Sequence, residues 1–543
     1  MARREMRHFG WGDPAHLSQG LPPRAFELLR ARVGLSDTPK LPVAVGAIRL
    51  PDAANVDIAG VELRTDQDAR VLRAAGKSYP DLFRMRTGAV ENAPDAVAVP
   101  RSVDEVRAVL RAGVAVVPFG GGTSVVGGVE ALRGSHPAVV SLDLGALDRL
   151  VSLDERSQVA VFEPGVQLPA AEAELNVRGF TLGHFPQSYE YATVGGCVAT
   201  RSAGQASTGY GHIDAMVVGL QAMCPAGDVD LLTVPASAAG PDLRELLVGS
   251  EGALGVLTRV ALRVRRRPAE RRYEGFMFAS FEQGMEALRA LEQEGAAPHV
   301  ARLSDEAESE VSFAMAGREG LLADLAGHYL RARGVERGCL AICGWEGTLD
   351  GVEARRTASL AVLGRHGAVA LGGSPGRAWS RSRFDGPYLR DDLMERGVMA
   401  ETLETATTWS NLRTLYAAVG DALGAHAPIV MCHVSHLYET GASLYFTFIA
   451  RQREGEEIEQ WRAAKSAASE AIVAAGGTIT HHHAVGRDHA RWLHHETSAA
   501  GLAALRAAKR ELDPDGVMNP GKLLADERPP VRQPPGPGPP KPE

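Results

Sequence analysis

Five glycines, Gly120, Gly121, Gly122, Gly127 and Gly128, fall within nine residues just after the apolar run Val114–Val117. Glycine lets backbone approach a ligand closely and take positive φ. Consecutive exposed N–H groups then form a nest that holds phosphate oxygens. Pro118-Phe119-Gly120-Gly121-Gly122-Thr123-Ser124 therefore reads as a strand end running into a pyrophosphate-holding loop, with a tight turn between strands as the alternative. A dinucleotide loop of the Gly-x-Gly-x-x-Gly kind needs a helix opening at its last glycine. Here Thr123, Ser124, Val125 and Val126 follow, and β-branched residues are poor helix formers. Asp143 stands about 20 residues on, where a ribose-binding acid would, but counts for little without that helix.

His481-His482-His483 is the sharpest cluster outside the glycine loops. On a strand adjacent side chains alternate faces, so three in a row rarely make one metal site, and no metal is expected. On a loop the three can converge on an anion or a cofactor edge; a polar exposed loop is the plainer account. Tyr445 lies in the alternating segment Ser443–Phe448, its ring facing opposite to Leu444 and Phe446. A strand tyrosine is usually structural. A buried hydroxyl needs a partner, and beside a cofactor it can serve as a base. A free phenol titrates near 10, so it needs cationic neighbours, such as His481–His483 or an arginine, to favour phenolate. Arg302 and Arg390 sit in apolar settings, which suits either a salt bridge or capture of a phosphate or carboxylate.

These groups need a large scaffold. The chain has 543 residues, 45% hydrophobic and 23% charged, as in ordinary multidomain globular proteins. A net charge of −8 gives no basic field for nucleic acid. Five cysteines without a CxxC pair suggest a reducing, cytoplasmic setting and exclude a cysteine zinc site. No apolar stretch follows the charged start, so no leader is expected, and no uncharged apolar run reaches the ~18 residues of a membrane span. Composition shifts divide the chain into a mostly helical segment 1–93, an α+β unit 94–268 carrying the glycine loop, a second α+β unit 269–475, a segment 476–525 with the histidines, and a proline-rich tail 526–543 expected to be disordered. The arginines around Pro268, Arg263 to Arg272, read as a solvated strand end and linker, with a lipid-headgroup patch as the alternative.

Taken together the motifs resemble those of the alkyldihydroxyacetonephosphate synthase family, within the vanillyl-alcohol oxidase type of FAD protein. The resemblance runs from Gly10-Trp11-Gly12 to about Leu523. It covers Gly120–Ser124, the segment from Gly183 and His184 through Pro186, Ser188 and Glu190 to Thr193-Val194-Gly195-Gly196, the run Gly249-Ser250-Glu251-Gly252-x-Leu254-Gly255-Val256, and the three histidines. It implies an α+β fold, with a vanillyl-alcohol oxidase-type FAD-binding domain and an α+β cap over the flavin. It also implies exchange of the acyl group of acyl-dihydroxyacetone phosphate for a fatty alcohol, without net redox change. Tyr445 would match the base, His481, His482 and His483 the groups beside flavin and phosphate, and Arg302 and Arg390 the substrate-binding arginines. FAD would be held by Pro118, Gly120, Gly121, Gly122, Thr123, Ser124, Pro186, Ser188, Thr193, Gly195, Gly196, Glu251, Gly252, Gly255 and Val256. Since Pro118–Gly128 contains no histidine, attachment is expected to be non-covalent. The family suggests a homodimer, and peripheral membrane association is a candidate. The alternative is an FAD-dependent D-2-hydroxy-acid dehydrogenase of the D-lactate or glycolate type, which Asp513–Leu524 resembles. Those enzymes carry Gly-Glu-His-Gly where this chain has His481–Ala484, and a metal-type histidine where it has Tyr445.

Overall fold

Ser102 accepts the Glu105 N–H at 3.2 Å and opens the helix Val103–Leu110, whose Val106, Val109 and Leu110 are buried. Such a cap is worth about 1 kcal/mol. The chain then enters the strand Ala115–Phe119, which ends at the glycine loop. This strand lies at the edge of a four-stranded sheet, parallel to Val139–Asp143, which is itself parallel to Ala96–Ala98. A five-stranded sheet follows, with Val256–Arg263 at its centre between Val159–Phe162 and Val217–Cys224. The computed structural model describes residues 3–12, 20–316 and 321–524, with backbone alone for 321–326; the proline-rich tail 526–543 lies outside the described residues.

The second half builds a seven-stranded antiparallel sheet. Its order places Ile429–Leu437, Gly441–Arg451 and Val398–Thr408 side by side at one end. Leu444, Phe446 and Phe448 are fully buried in the core on one face. By the period of two, Ser443, Tyr445 and Thr447 point to the other.

Among its described residues the 1–93 segment is mostly irregular rather than helical. Its helices are short, Pro23–Val33, Gln67–Leu72 and Tyr79–Thr87. Pro39, Pro42 and Pro51 interrupt the stretch between them, removing donors and disfavouring helix in the residues they follow. The helix Tyr79–Thr87 packs Tyr79 and Leu82 into the core of the second half. The glycine-rich stretch after Gly183 is not free of helix either: Val194–Ala199, Ser207–Tyr210 and Ile213–Met216 are single turns or little more. The final helix bends at Ser498, whose φ of 62° breaks the run Leu493–Leu512. The arginines near Pro268 are largely spoken for. Arg265 lies over Tyr210, Arg266 over Phe180, Arg271 pairs with Glu346 and Arg272 with Glu274.

Candidate active site

Four separated stretches meet at the glycine loop. A Cβ on Gly120 would lie 2.4 Å from Thr193 Oγ1, and one on Gly121 would lie 2.1 Å from the Tyr191 carbonyl. A Cβ on Gly252 would strike Pro118 at 2.8 Å. A side chain at any of these positions would clash with the neighbouring stretch, so the glycines let these stretches pack closely. Ser124 Oγ accepts the Gly128 N–H at 2.9 Å, and Thr193 Oγ1 accepts the Gly196 N–H at 3.2 Å. Pro186 and Ser188 turn the chain toward this contact, their carbonyls accepting from Tyr189 and from Tyr191 and Ala192. Glu251 binds the Val485 and Gly486 N–H groups at 2.8 and 2.7 Å, and burial pushes its carboxyl up to about 7. Gly255 and Val256 then enter the central strand of the five-stranded sheet, Val256 opposite Met223. Asp143 is held by Arg3 at 2.6 Å and Arg73 at 2.8 Å, so its role is a structural ion pair.

Polar atoms without partners gather around this junction. His184 Nδ1, Gln187 Nε2, Gln205 Oε1 and Thr208 Oγ1 are buried and unbonded, as are Nε and Nη2 of Arg390. Such atoms cost free energy unless a ligand or water meets them. A large polar cofactor laid along 184–208 fits that donor set.

Tyr445 sits in the middle strand of the trio, opposite Glu404 on one neighbour and His433 on the other. Its ring stacks on His433 at 4.7 Å and 17°, lies 6.0 Å from His482, and meets His483 edge-on at 5.4 Å. Glu404 lies beneath the histidine loop, 1% exposed. It accepts the N–H groups of His482 at 3.0 Å and His483 at 2.7 Å, that of His481, and the Thr480 hydroxyl at 2.7 Å. Burial opposes its charge, yet the three histidines and Thr480 hold the carboxyl well below the usual range. Sequence reading passed over Glu404, for it stands in an alternating strand with nothing nearby to mark it.

Burial disfavours the cationic form of all three histidines. Burial lowers His482 to about 3 and His483 to about 4, and takes His481 well down too. Burial thus works against the expected activation of Tyr445 by charged histidines. Burial, helped by Glu404 and Glu401, pushes its phenol up to about 12, while Thr402 and Arg390 pull the other way. Nor do the three act together: His481 turns from Tyr445 and meets the Tyr438 hydroxyl at 2.6 Å. Arg390 donates through Nη1 to the Lys77 carbonyl at 2.9 Å and keeps its other edge unbonded. Arg302 is engaged, 2.9 Å from Glu308 and 3.0 Å from His433 Nδ1.

The halves of this architecture match two family models. One, described as FAD binding domain, matches residues 94–232, and the other, FAD linked oxidases, C-terminal domain, matches residues 267–523. The alkyldihydroxyacetonephosphate synthase of Dictyostelium discoideum is 32% identical over 85% of this chain and 78% of its own length. That of Trypanosoma brucei brucei is 34% identical over the same shares. The chain belongs to the alkyldihydroxyacetonephosphate synthase family. A solved structure of such a synthase superposes with a TM-score of 0.82 at 28% identity, covering 96% of this chain and 99% of that one. More distant are a mitochondrial D-lactate dehydrogenase of Arabidopsis thaliana at 26% identity over 85% of this chain and 78% of its own length, and p-cresol methylhydroxylase, whose TM-score of 0.64 at 16% identity over 94% of this chain and 98% of that one shows the fold alone. Membership of the synthase family makes the protein an FAD-dependent enzyme, with a vanillyl-alcohol oxidase-type FAD-binding domain and an α+β cap. No described helix is long and apolar enough to cross a membrane.

Proposed function

We propose that the protein exchanges the acyl chain of acyl-dihydroxyacetone phosphate for a fatty alcohol, forming an ether-lipid precursor. The observation that carries this reading is the pairing of Tyr445, set between His433 and His482, with the unbonded guanidinium edge of Arg390. FAD would lie along Pro118–Ser124, Pro186–Gly196 and Glu251–Val256, and when bound supplies the electron-poor ring at which substitution at a ketone-flanking carbon becomes feasible. Arg390 Nε and Nη2 offer two parallel donors, the fork that fits a phosphate. Tyr445 takes a proton from carbon-1 in its phenolate form, which Thr402 and Arg390 favour against burial, and returns it. His482 and His483, beside the Tyr445 ring, offer hydrogen bonds to the substrate oxygens at that end of the site. Arg302, tied to Glu308, orients His433 behind the Tyr445 ring instead of touching substrate.

The dehydrogenase-like stretch Asp513–Leu524 has a structural account. Asp513 accepts the Val517 and Met518 N–H groups, Asn519 donates to the Gly128 and Glu251 carbonyls, and Lys522 donates to the Glu130 carbonyl. It ties the chain end to the FAD cradle, which any flavoprotein of this fold needs. The stretch therefore does not argue for oxidation of a 2-hydroxy acid over alkyl exchange.

FAD is proposed to be non-covalent, from the histidine-free loop. A cytoplasmic setting is supported by five buried free cysteines, and a lipid surface by lipid substrates and by Leu232 and Leu243 exposed on one loop. A homodimer rests on family likeness. The test of the site is Tyr445→Phe, which keeps ring and packing. The expected result is an FAD-loaded protein whose ether formation falls by roughly 10²–10⁴, the usual worth of acid–base catalysis. Turnover at the wild-type rate would make Tyr445 a packing residue and place the base elsewhere.

A further inference from the structure

His481 faces the strand Ile429–Leu437, where His436 stacks on it with ring centres 5.1 Å apart. His482 closes the group, 5.0 Å from His436 and 5.2 Å from His481. One ring nitrogen of each lies within 4.8 Å of the other two. Tetrahedral zinc binds imidazole nitrogen at about 2.0–2.1 Å, which places the centres of rings sharing one ion roughly 5 Å apart. The three observed separations agree.

In two of the three, the other ring nitrogen is occupied. His436 Nδ1 meets Ser207 Oγ at 2.6 Å, and His481 Nε2 meets the Tyr438 hydroxyl at 2.6 Å. Metal-binding histidines are oriented by such an outer partner. This leaves Nε2 of His436 and Nδ1 of His481, the latter 2.9 Å from His482 Nδ1. Glu404 places a buried carboxylate 3.6 Å from His482 Nδ1, where it offsets a cation's charge. The expectation that adjacent histidines scatter their side chains holds on a strand. Here two lie on a loop pinned by Glu404, and the third comes from a neighbouring strand.

We propose that His436, His481 and His482 bind one borderline transition-metal ion, zinc foremost, with the fourth position open to water. All-imidazole donors suit zinc, copper and nickel and disfavour magnesium and calcium. Occupation takes a lone pair of His482, the ligand beside the Tyr445 ring, so zinc inhibits the enzyme; that consequence, unlike the binding itself, rests on the proposed function.

The experiment uses the FAD-loaded full chain, stripped with a chelator and then titrated with Zn²⁺ against a chromophoric competitor. Cobalt substitution reports geometry. His436→Asn removes one ligand, and Ser207→Ala releases only its outer hydrogen bond. His494→Asn with His495→Asn removes an exposed adjacent pair and serves as control. The expected result is one zinc per chain at about 1 µM or tighter, weakened roughly 10–100-fold in His436→Asn or Ser207→Ala and unchanged in the control, with a tetrahedral cobalt spectrum. Absence of stoichiometric binding, or binding that survives both site variants or vanishes in the control, overturns the site. Stoichiometric binding that leaves ether formation untouched supports the metal site and counts against the role proposed for His482.

Discussion

At the residue scale, backbone strain and unmet hydrogen bonds make the sharpest predictions. Ala484 follows the three histidines with φ of 76°, a region that costs a side chain about 1–2 kcal/mol. Ala484→Gly relieves that cost while loosening the unfolded chain, so a net gain of about 0.5–1 kcal/mol is expected in urea unfolding. A loss would mean that packing of the Ala484 methyl outweighs the strain. Arg390→Lys replaces a fork by a point charge. KM for acyl-dihydroxyacetone phosphate should rise at least tenfold with FAD content unchanged, whereas an unchanged KM would make Arg390 a tether for the Lys77 carbonyl alone. Glycine, histidine and tyrosine positions were legible in the sequence because their chemistry is local. Glu404 was not, because its three backbone donors come from residues 481–483, brought over it only by the sheet. The setting of the histidines was equally hidden: sequence shows three basic side chains, while burial disfavours their cationic form.

At the scale of elements, two ties hold the site. The first is Glu404 under the histidine loop. Glu404→Gln exchanges a full acceptor for an amide that must turn its own NH₂ toward donors. Loss of charge-assisted bonds of this kind costs about 1.5–3 kcal/mol. Amides of His481–His483 should exchange with solvent faster, and ether formation should fall; protection equal to wild type would show that the loop is held by its histidine side chains. The second tie is the N-terminal strap. Trp11 N–H binds Asp391, a Cβ on Gly10 would lie 2.3 Å from the same carboxylate, and Lys77 Nζ donates to the Arg7 carbonyl at 2.7 Å. Together they fix the helix Gly386–Glu395 that carries Arg390. Burial lowers Lys77 to about 8 from 10.5. Between those values the unfolded chain holds a proton that the folded chain lacks, so stability rises with pH, by up to about 1.4 kcal/mol per unit. From pH 8 to 9.5 wild type should therefore gain on Lys77→Met in unfolding free energy; a constant difference would place Lys77 in water. The strap itself was invisible in sequence beyond the Gly10-Trp11-Gly12 signature, because Asp391 lies 380 residues from Trp11.

At the scale of the whole molecule, the chain end returns to the first half. Met518 bridges to Val116 beside the glycine-loop strand, and Asn519 joins Gly128 to Glu251. The FAD cradle thus unites segments from residue 118 to residue 519, and cofactor binding should stabilise the fold as one unit. At 100 times its Kd, free FAD adds about 2.7 kcal/mol. Acid precipitation should release all the yellow colour to the supernatant; colour kept in the pellet would refute non-covalent binding. The α+β class was legible from alternating strand and helix patterns, but the order of the seven-stranded sheet, which sets Glu404, Tyr445 and His433 in one row, was not. What that row does is the central claim. It is tested most directly by incubating the FAD-loaded protein without oxygen, once with acyl-dihydroxyacetone phosphate and hexadecanol, and once with D-lactate and a dye acceptor. The account predicts ether and free fatty acid in equal amounts from the first mixture, with the flavin still oxidised, and no dye reduction in the second. Dye reduction by D-lactate with no ether formed would contradict it.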